Sequence, residues 1–228
     1  MTAIKQVKKQ ESSFGNKEFY QGSIIESIES FPKKSLLKET FDDLVDDPYL
    51  QAKTIFRQRR YSTCTFRNST LHWVDTPFIF YQTKSLNTYA GGIERAFSCI
   101  DPQAKAFCEQ VVIPLLMQHL PTDDAEIGVH QIRIIADDDC IGLPAPEGPH
   151  QDGFDYICTL CINKHNVAGG NSIVLHQGDI IVNSQLEVGD LLIIDDRHFH
   201  HYASPIVPLL PGKAFRDMFI FTINRERN

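Results

Sequence analysis

Three consecutive runs of sequence carry the clearest structural signal: HQDGFDYICTLCIN (150–163), GGNSIVLHQ (169–177) and DIIVNSQLEVGDLLIIDD (179–196). Each run is short, is rich in Ile, Val and Leu, and is bounded by glycine or polar turn residues, which is typical of β-strands. The sequence predicts no helix between one run and the next. Strands in this arrangement favour an antiparallel sandwich or barrel over a parallel sheet with crossover helices.

The same pattern continues on both sides of these runs. IGVHQIRIIAD (127–137) precedes them, and HHYASPIVPL (200–209) and AFRDMFIFTIN (214–224) follow them. We therefore predict a mainly β protein of the α+β type, with a jelly-roll or cupin-like barrel over about residues 126–226.

The first half of the chain adds helices to this core. Residues 23–52 and 101–121 place apolar side chains near the helical period, and Asp101 is a suitable N-cap. We expect these N-terminal and central helices to buttress the barrel. Residues 1–22 are polar and rich in lysine, so we expect a disordered tail there, with residues 23–228 forming a single domain.

Composition excludes several classes of protein. The 228 residues include 22 Lys and Arg against 29 Asp and Glu, a net charge of −7, which does not favour nucleic acid or an anionic membrane as a partner. No apolar run approaches the roughly 18–20 residues of a membrane span. Six cysteines are too few for a disulfide scaffold. These features predict a cytoplasmic protein without a nucleic-acid or membrane partner, and they leave its oligomeric state open.

One short spacing suggests a metal site. His150 and Asp152 are two residues apart, so on an extended strand their side chains lie on the same side. A histidine from a strand returning across the barrel would complete two histidines and one carboxylate, the ligand set of non-heme Fe(II) oxygenases. His198, His200 and His201 are the candidates for this third ligand. The alternative is an ordinary turn, with the aspartate as a cap and the histidine exposed.

Arg216 strengthens the metal interpretation. It lies in a strand-like run that follows the distal histidines, and a guanidinium offers a fork of donors to a carboxylate. A co-substrate that chelates iron at one end and carries a carboxylate at the other needs such an anchor, and 2-oxoglutarate fits this description. Ser204 could add a hydroxyl to the same carboxylate. The alternatives are a salt bridge of Arg216 with Asp217 and a turn at Ser204 before Pro205.

Other polar residues are candidates for substrate binding. An arginine on an apolar strand needs a partner when buried, which could be a substrate carboxylate or an internal acid. The segment 91–95, which contains two glycines followed by Glu94 and Arg95, could form a loop over the site. The candidates for substrate binding are Gln131, Arg133, Asp155 and Tyr156.

Four segments resemble the 2-oxoglutarate/Fe(II) dioxygenases, in particular the branch that includes free L-isoleucine 4-hydroxylase. They are PAPEGPHQDGFDY (144–156), GGNS (169–172), VGDLLIIDDRHFHHYASPIVPL (188–209) and FRDMFIFTI (215–223). RRYS (59–62), GGIERAF (91–97) and HQIRIIA (130–136) are also similar, so the resemblance covers about residues 55–225.

The resemblance implies a double-stranded β-helix that binds Fe(II) through His150, Asp152 and a distal histidine. The pattern of the branch assigns the distal ligand to His201, with His198 and His200 as alternatives because this sequence has three histidines there. It assigns Arg216 to the C5 carboxylate of 2-oxoglutarate. The implied reaction uses O2 to hydroxylate an unactivated C–H bond of a small molecule, foremost a free aliphatic L-amino acid, and releases succinate and CO2.

Three alternatives to this function remain from the sequence. The substrate could be a peptide or a larger metabolite, because fold and metal ligands serve many substrates. The protein could also be a cupin-like protein that binds metal without turnover, or a structural β-sandwich. Arg216 is the feature that discriminates, because a cupin that only binds metal does not need an anchor for a co-substrate.

Overall fold

The computed structural model describes residues 19–52, 55–74 and 79–226. Within these residues there are four α-helices, and one π-helical turn, Cys108–Val112, joins the last two of them. The helices are α1 Ile25–Ser30, α2 Lys34–Glu39, α3 Pro102–Phe107 and α4 Ile113–His119. The strands are β1 Tyr20–Ser23, β2 Arg57–Arg67, β3 Thr70–Trp73, β4 Ile79–Phe80, β5 Arg95–Ala96, β6 Ala125–Ala136, β7 Tyr156–His165, β8 Val167–Gly169, β9 Ser172–His176, β10 Asp179–Ser184, β11 Asp190–Asp195, β12 His200–Ala203, β13 Ile206–Pro208 and β14 Ala214–Arg225.

Two antiparallel layers form the core, as the run of short strands predicts. The larger layer is a seven-stranded sheet in the order β1-β11-β7-β14-β6-β2-β3. The smaller layer contains the sheets β10-β9-β12 and β13-β8. Ile157, Leu192 and Met218 of the large sheet form one buried cluster with Val174 and Val182 of the small one. This packing of sheet on sheet confirms the predicted mainly β class.

The helices cover the other face of the large sheet. Phe41, Phe107 and Phe219 form the centre of this second core, with ring centroids 5.3 Å apart for Phe41 and Phe219 and 6.2 Å for Phe107 and Phe219. All three side chains are fully buried. The helices therefore support the sheet, as expected, and leave its inner face free to line a site.

Alternation along β14 shows how one strand serves both faces. Phe219 and Phe221 belong to the core on the helix side, whereas Arg216, Met218 and Ile220 line the interior between the sheets. Side chains of a strand alternate between its two faces with a period of two. Because β14 pairs with both β6 and β7, the register also fixes which side chains of those two strands face the helices and which face the cavity.

The alternation corrects two expected substrate-binding residues, Gln131 and Arg133. Arg133 is opposite Asp217 in the β6–β14 register, so it is on the helix side and not on the side of Arg216. Its Nε donates to Asp217 Oδ1 at 2.6 Å. Gln131 is fully buried on the same side, and its Nε2 donates to Thr40 Oγ1 at 2.7 Å. Neither residue lines the cavity between the sheets, because the odd-numbered side chains of this part of β6 face the helices.

The N-terminal region differs from its prediction in two ways. The predicted helical segment 23–52 contains only the short helices α1 and α2. Residues 1–18 of the predicted tail 1–22 lie outside the described residues. The last residues of the predicted tail are ordered, because the strand Tyr20–Ser23 pairs with β11 at the edge of the large sheet. The division into a tail and a single domain otherwise remains a prediction.

The central helical prediction is confirmed in detail. The Asp101 side chain accepts a hydrogen bond from the Gln103 backbone N–H at 2.7 Å and caps α3. Among the helices of the described residues, none is long and apolar enough to cross a membrane.

We expect Asp217→Asn to lower the free energy of unfolding by about 1–3 kcal/mol, because the Arg133 guanidinium then keeps only the exposed Asp42 as a charged partner. Asp217 is fully buried. The matched control is Asp42→Asn, since Asp42 is exposed and pairs with the same arginine at 2.7 Å. The free energy of unfolding of the control should fall by less than about 1 kcal/mol. Urea unfolding measures both variants, and equal small losses would contradict the assignment of Arg133 to a structural ion pair.

Candidate metal centre and active site

A backbone pair joins the two histidines of the site. The backbone N–H of His150 donates to the carbonyl of His201 at 3.0 Å, and that of His201 donates back at 2.8 Å. Residues paired in this antiparallel way have their side chains on the same face, a few ångströms apart. The two imidazole centroids are accordingly 4.4 Å apart.

Asp152 completes the group. Its Oδ1 is 3.5 Å from His150 Nε2, and its Oδ2 is 3.4 Å from His201 Nε2. One ligand atom from each of the three residues lies within 4.8 Å of the others. The predicted two histidines and one carboxylate therefore come together on one side of a small cavity.

The geometry selects among the three distal histidines. His200 is exposed and has the opposite parity to His201 on β12. His198 is exposed, and its Nδ1 contacts Asp195 Oδ2 at 2.9 Å. His201 is the one that meets His150 and Asp152, as the resemblance implies.

The donor set fits a divalent cation. His150 Nδ1 donates to the carbonyl of Gly148 at 2.8 Å, which leaves its Nε2 as a ligand atom. His201 Nε2 is buried and makes no hydrogen bond within the described part of the chain. Burial alone would lower the pKa of His201, but the nearby carboxylates of Asp152 and Asp196 raise it to about 10. The site thus favours positive charge at this position, and Fe(II) would supply it.

Asp196 holds the segment that carries Asp152. Its buried carboxylate accepts hydrogen bonds from the backbone N–H groups of Asp152 at 3.1 Å, Gly153 at 2.7 Å and Phe154 at 3.0 Å. Gly153 has a φ of +88°, a backbone conformation that glycine adopts readily. Three amide donors on one carboxylate fix the loop, and they therefore fix the direction of the ligand side chain.

A loop between β4 and β5 covers the carboxylate ligand. Gln82 Nε2 donates to Asp152 Oδ1 at 2.6 Å, and its Oε1 accepts from Arg95 Nη2 at 2.7 Å and from Asn87 Nδ2 at 3.1 Å. The expectation of a loop over the site thus holds for Arg95, which lines the cavity, whereas Glu94 is exposed. No spacing in the sequence pointed to Gln82 or Asn87, because both act from an irregular segment.

Arg216 lies in the same cavity as the metal ligands. Its guanidinium is buried, and Nη1 donates to the carbonyl of Gly170 at 2.6 Å. Nη2 is buried without a hydrogen-bond partner among the described residues. One arm of the fork is therefore fixed by the protein, and the other is available to a carboxylate.

Ser204 has a different role from the one expected. Its hydroxyl accepts a hydrogen bond from the Asn171 backbone N–H at 2.9 Å, and its own N–H donates to the Asn171 carbonyl at 3.0 Å. These contacts build the turn before Pro205. Ser172, not Ser204, lines the cavity.

Asp155 and Tyr156 also lie away from the cavity, which corrects their expected role in substrate binding. Tyr156 packs into the core on the helix side, whereas the alternate residues Ile157 and Thr159 of β7 face the cavity. The Asp155 carboxylate accepts from the Arg225 backbone N–H at 2.8 Å, and it is 3.2 Å from Arg197 Nη1. It therefore ties the end of β14 to the loop before β12.

The family of the chain follows from a family model of 2OG-Fe dioxygenases, which matches residues 38–222. The chain belongs to the 2OG-Fe dioxygenase family. It is therefore an oxidoreductase of the class that uses Fe(II), 2-oxoglutarate and O2. No curated protein sequence matches the chain.

Solved structures show the same fold. The chain is similar to a BsmA homologue from Methylobium petroleophilum, with 22% identity and a TM-score of 0.76 over 92% of this chain and 89% of that one. It is also similar to IDO from Bacillus thuringiensis, with 19% identity and a TM-score of 0.69 over 92% and 91%. The chain is also similar to the Fe(II)/α-ketoglutarate-dependent dioxygenase TqaL, with 20% identity and a TM-score of 0.58 over 85% of this chain and 74% of that one. These likenesses confirm the double-stranded β-helix.

We expect His201→Ala to lose bound Fe(II), whereas His200→Ala and His198→Ala keep close to one iron per chain. The reason is that only the His201 side chain meets the other two ligands. Anaerobic reconstitution followed by iron quantification measures the occupancy, and circular dichroism checks the fold. Retention of iron in His201→Ala, or its loss in either of the other two variants, would refute this assignment.

We expect Asp196→Ala to weaken Fe(II) binding about 10- to 100-fold, the usual effect of removing a group that orients a metal ligand. Asp195→Ala is the matched control, because the neighbouring carboxylate pairs with Arg197 and His198 and not with the ligand loop. Anaerobic calorimetric titration with Fe(II) measures both dissociation constants. Equal affinities in the two variants would show that the loop keeps its position without Asp196.

Proposed function

We propose that the protein hydroxylates an unactivated C–H bond of a free aliphatic L-amino acid, with 2-oxoglutarate as co-substrate. The observation that carries the proposal is that the metal ligands and the free arm of Arg216 open into one cavity. Part of its wall is formed by apolar side chains, which suits an aliphatic substrate side chain. The residues that form this part include Ile132, Ile134, Ile157, Ile173, Leu192, Ile194, Met218 and Ile220.

Five polar residues of the cavity have a task in this proposal. His150, Asp152 and His201 hold Fe(II), and Arg216 holds the C5 carboxylate of 2-oxoglutarate. Gln82 keeps the Asp152 carboxylate in place through its 2.6 Å hydrogen bond. When bound, the iron and 2-oxoglutarate supply the oxidation of the C–H bond by O2, with succinate and CO2 as co-products. The apolar part of the wall excludes water and orients the substrate.

Two further observations support the substrate class and the location. Glu147 lines the cavity, and its Oε1 is 3.6 Å from His150 Nε2, so an acid is available to an ammonium group. The four sequence segments that resemble the isoleucine hydroxylase branch include this residue. All six cysteines are free thiols, which fits the cytoplasmic location that the sequence predicts.

The test is succinate production by protein reconstituted with Fe(II) in the absence of air. The reaction is started with O2 and run with 2-oxoglutarate and each of the twenty L-amino acids, with mass detection of hydroxylated products. Succinate that rises with an aliphatic amino acid, together with its hydroxylated product, supports the proposal. If only peptides or larger metabolites increase succinate production, the substrate is of that class and not a free amino acid. No succinate from folded, iron-loaded protein would favour a cupin-like protein that binds metal without turnover.

We expect Arg216→Met to raise the KM for 2-oxoglutarate about 10- to 100-fold, the scale of a charge-assisted hydrogen-bonded contact. Ser204→Ala is the control and should leave this KM within about threefold, because its hydroxyl serves a turn. Succinate release at varied 2-oxoglutarate measures both. An unchanged KM in Arg216→Met, or a large rise in Ser204→Ala, would assign the co-substrate carboxylate elsewhere.

A further inference from the structure

Among the buried residues of the cavity that do not hold iron or 2-oxoglutarate, three are basic and lie together. They are Arg59 on β2, His130 on β6 and Arg95 on β5. All three line the cavity, and each is at most 5% exposed. Each also has a buried side-chain nitrogen, Arg59 Nε, Arg95 Nε and His130 Nε2, that makes no hydrogen bond with any described residue. Buried donors without partners are rare in folded proteins, and they indicate a ligand or an ordered water.

These three side chains form one group. Arg59 Nη2 is hydrogen-bonded to His130 Nδ1. A guanidinium can only donate, so Nδ1 accepts and the proton of the neutral imidazole is on Nε2, the nitrogen without a partner. Both guanidinium carbons lie against the ring of Phe80, at 5.3 Å for Arg59 and 4.7 Å for Arg95. The free nitrogens are therefore all donors, and the three side chains that carry them all lie against Phe80.

Among the described residues, no carboxylate is hydrogen-bonded to Arg59 or Arg95, and Asp47 is the one acid within 4 Å of either guanidinium. Asp47 binds Arg57 Nε at 2.8 Å and is 3.9 Å from Arg59 Nη1, so two arginines share one buried acid. Arg95 binds only the neutral amide oxygen of Gln82 among the described residues. Burial and the repulsion of Arg57 lower the pKa of Arg59 to about 9, although Asp47 opposes this effect. A buried cation in this state is stabilised by an anion.

The group is separate from the anchor for 2-oxoglutarate. In the sheet register Ile134 on β6 pairs with Arg57 on one side and with Arg216 on the other. Two strand spacings, about 9.5 Å, thus separate the backbone positions of the β2 arginines from that of Arg216. Arg95 is nevertheless joined to the metal ligand Asp152 through Gln82. An anion held here would therefore lie close to the metal centre and apart from the co-substrate carboxylate.

We infer that Arg59, Arg95 and His130 bind the carboxylate of the substrate, so the substrate is a carboxylic acid whose free anion is required for binding. This inference rests on the proposed function, and it adds the group by which the substrate is recognised. Two guanidiniums and an imidazole N–H match the two oxygens of a carboxylate. A site of this kind rejects an amide or ester of the same shape, because the buried donors would lose their charged partner.

The first test is kinetic and uses L-isoleucine as the probe. Arg95→Met should raise the KM for L-isoleucine at least tenfold and change the KM for 2-oxoglutarate less than threefold, the reverse of Arg216→Met. Arg60→Met is the matched control, since Arg60 has the opposite parity on β2 and donates to the Asp43 carbonyl. An unchanged KM for L-isoleucine in Arg95→Met would overturn the inference and leave the proposed function standing.

The second test does not depend on turnover, so it separates failure of the inference from failure of the proposed function. Wild-type protein loaded with Ni(II) and 2-oxoglutarate is titrated with 4-methylpentanoate and with 4-methylpentanamide, which have the same shape and differ in charge. The acid should bind at least tenfold more tightly than the amide, and Arg95→Met should abolish this preference. Equal binding of the two probes, binding of neither, or an intact preference in Arg95→Met would overturn the inference. This result is obtained even if no amino acid is hydroxylated.

Discussion

The reciprocal backbone hydrogen bonds between His150 and His201 set the geometry on which the site depends. They join the loop after β6 to the start of β12, and they bring two imidazoles to the same face. Asp152 follows two residues later, and Asp196 holds its loop through three amide hydrogen bonds. A shift of one residue in this pairing would bring the exposed His200 inward and separate the ligands. The metal site is thus a consequence of strand register, and the two packed layers of strands maintain that register.

The sequence could predict the residues whose position follows from periodicity. His150, Asp152 and Arg216 stand on or beside regular strands, so their spacing predicts that they converge. The spacing leaves three distal histidines open, and the family resemblance is what favours His201 among them. The strand-rich core and the cap of α3 by Asp101 could be predicted for the same reason. The two layers follow from short strands without intervening helices.

The wrong predictions of site residues arise where the result depends on which strands pair and in which register, because the sequence alone does not give that pairing. Arg133 and Arg216 are both arginines on apolar strands, and only the β6–β14 register shows that they face opposite sides of the sheet. Gln82 reaches Asp152 from an irregular loop, a long-range contact that no local pattern encodes. Arg59 and Arg95 lie far apart in the chain and meet at Phe80, so their common role depends on tertiary structure alone.

Arginines on the two faces of the large sheet also differ in their surroundings. On the helix side Arg133 is satisfied by the carboxylates of Asp217 and Asp42, so its charge is balanced within the protein. On the cavity side Arg216, Arg59 and Arg95 each keep a buried donor without a partner among the described residues. Because a buried donor without a partner is costly, these guanidinium nitrogens favour the binding of an anion in the cavity.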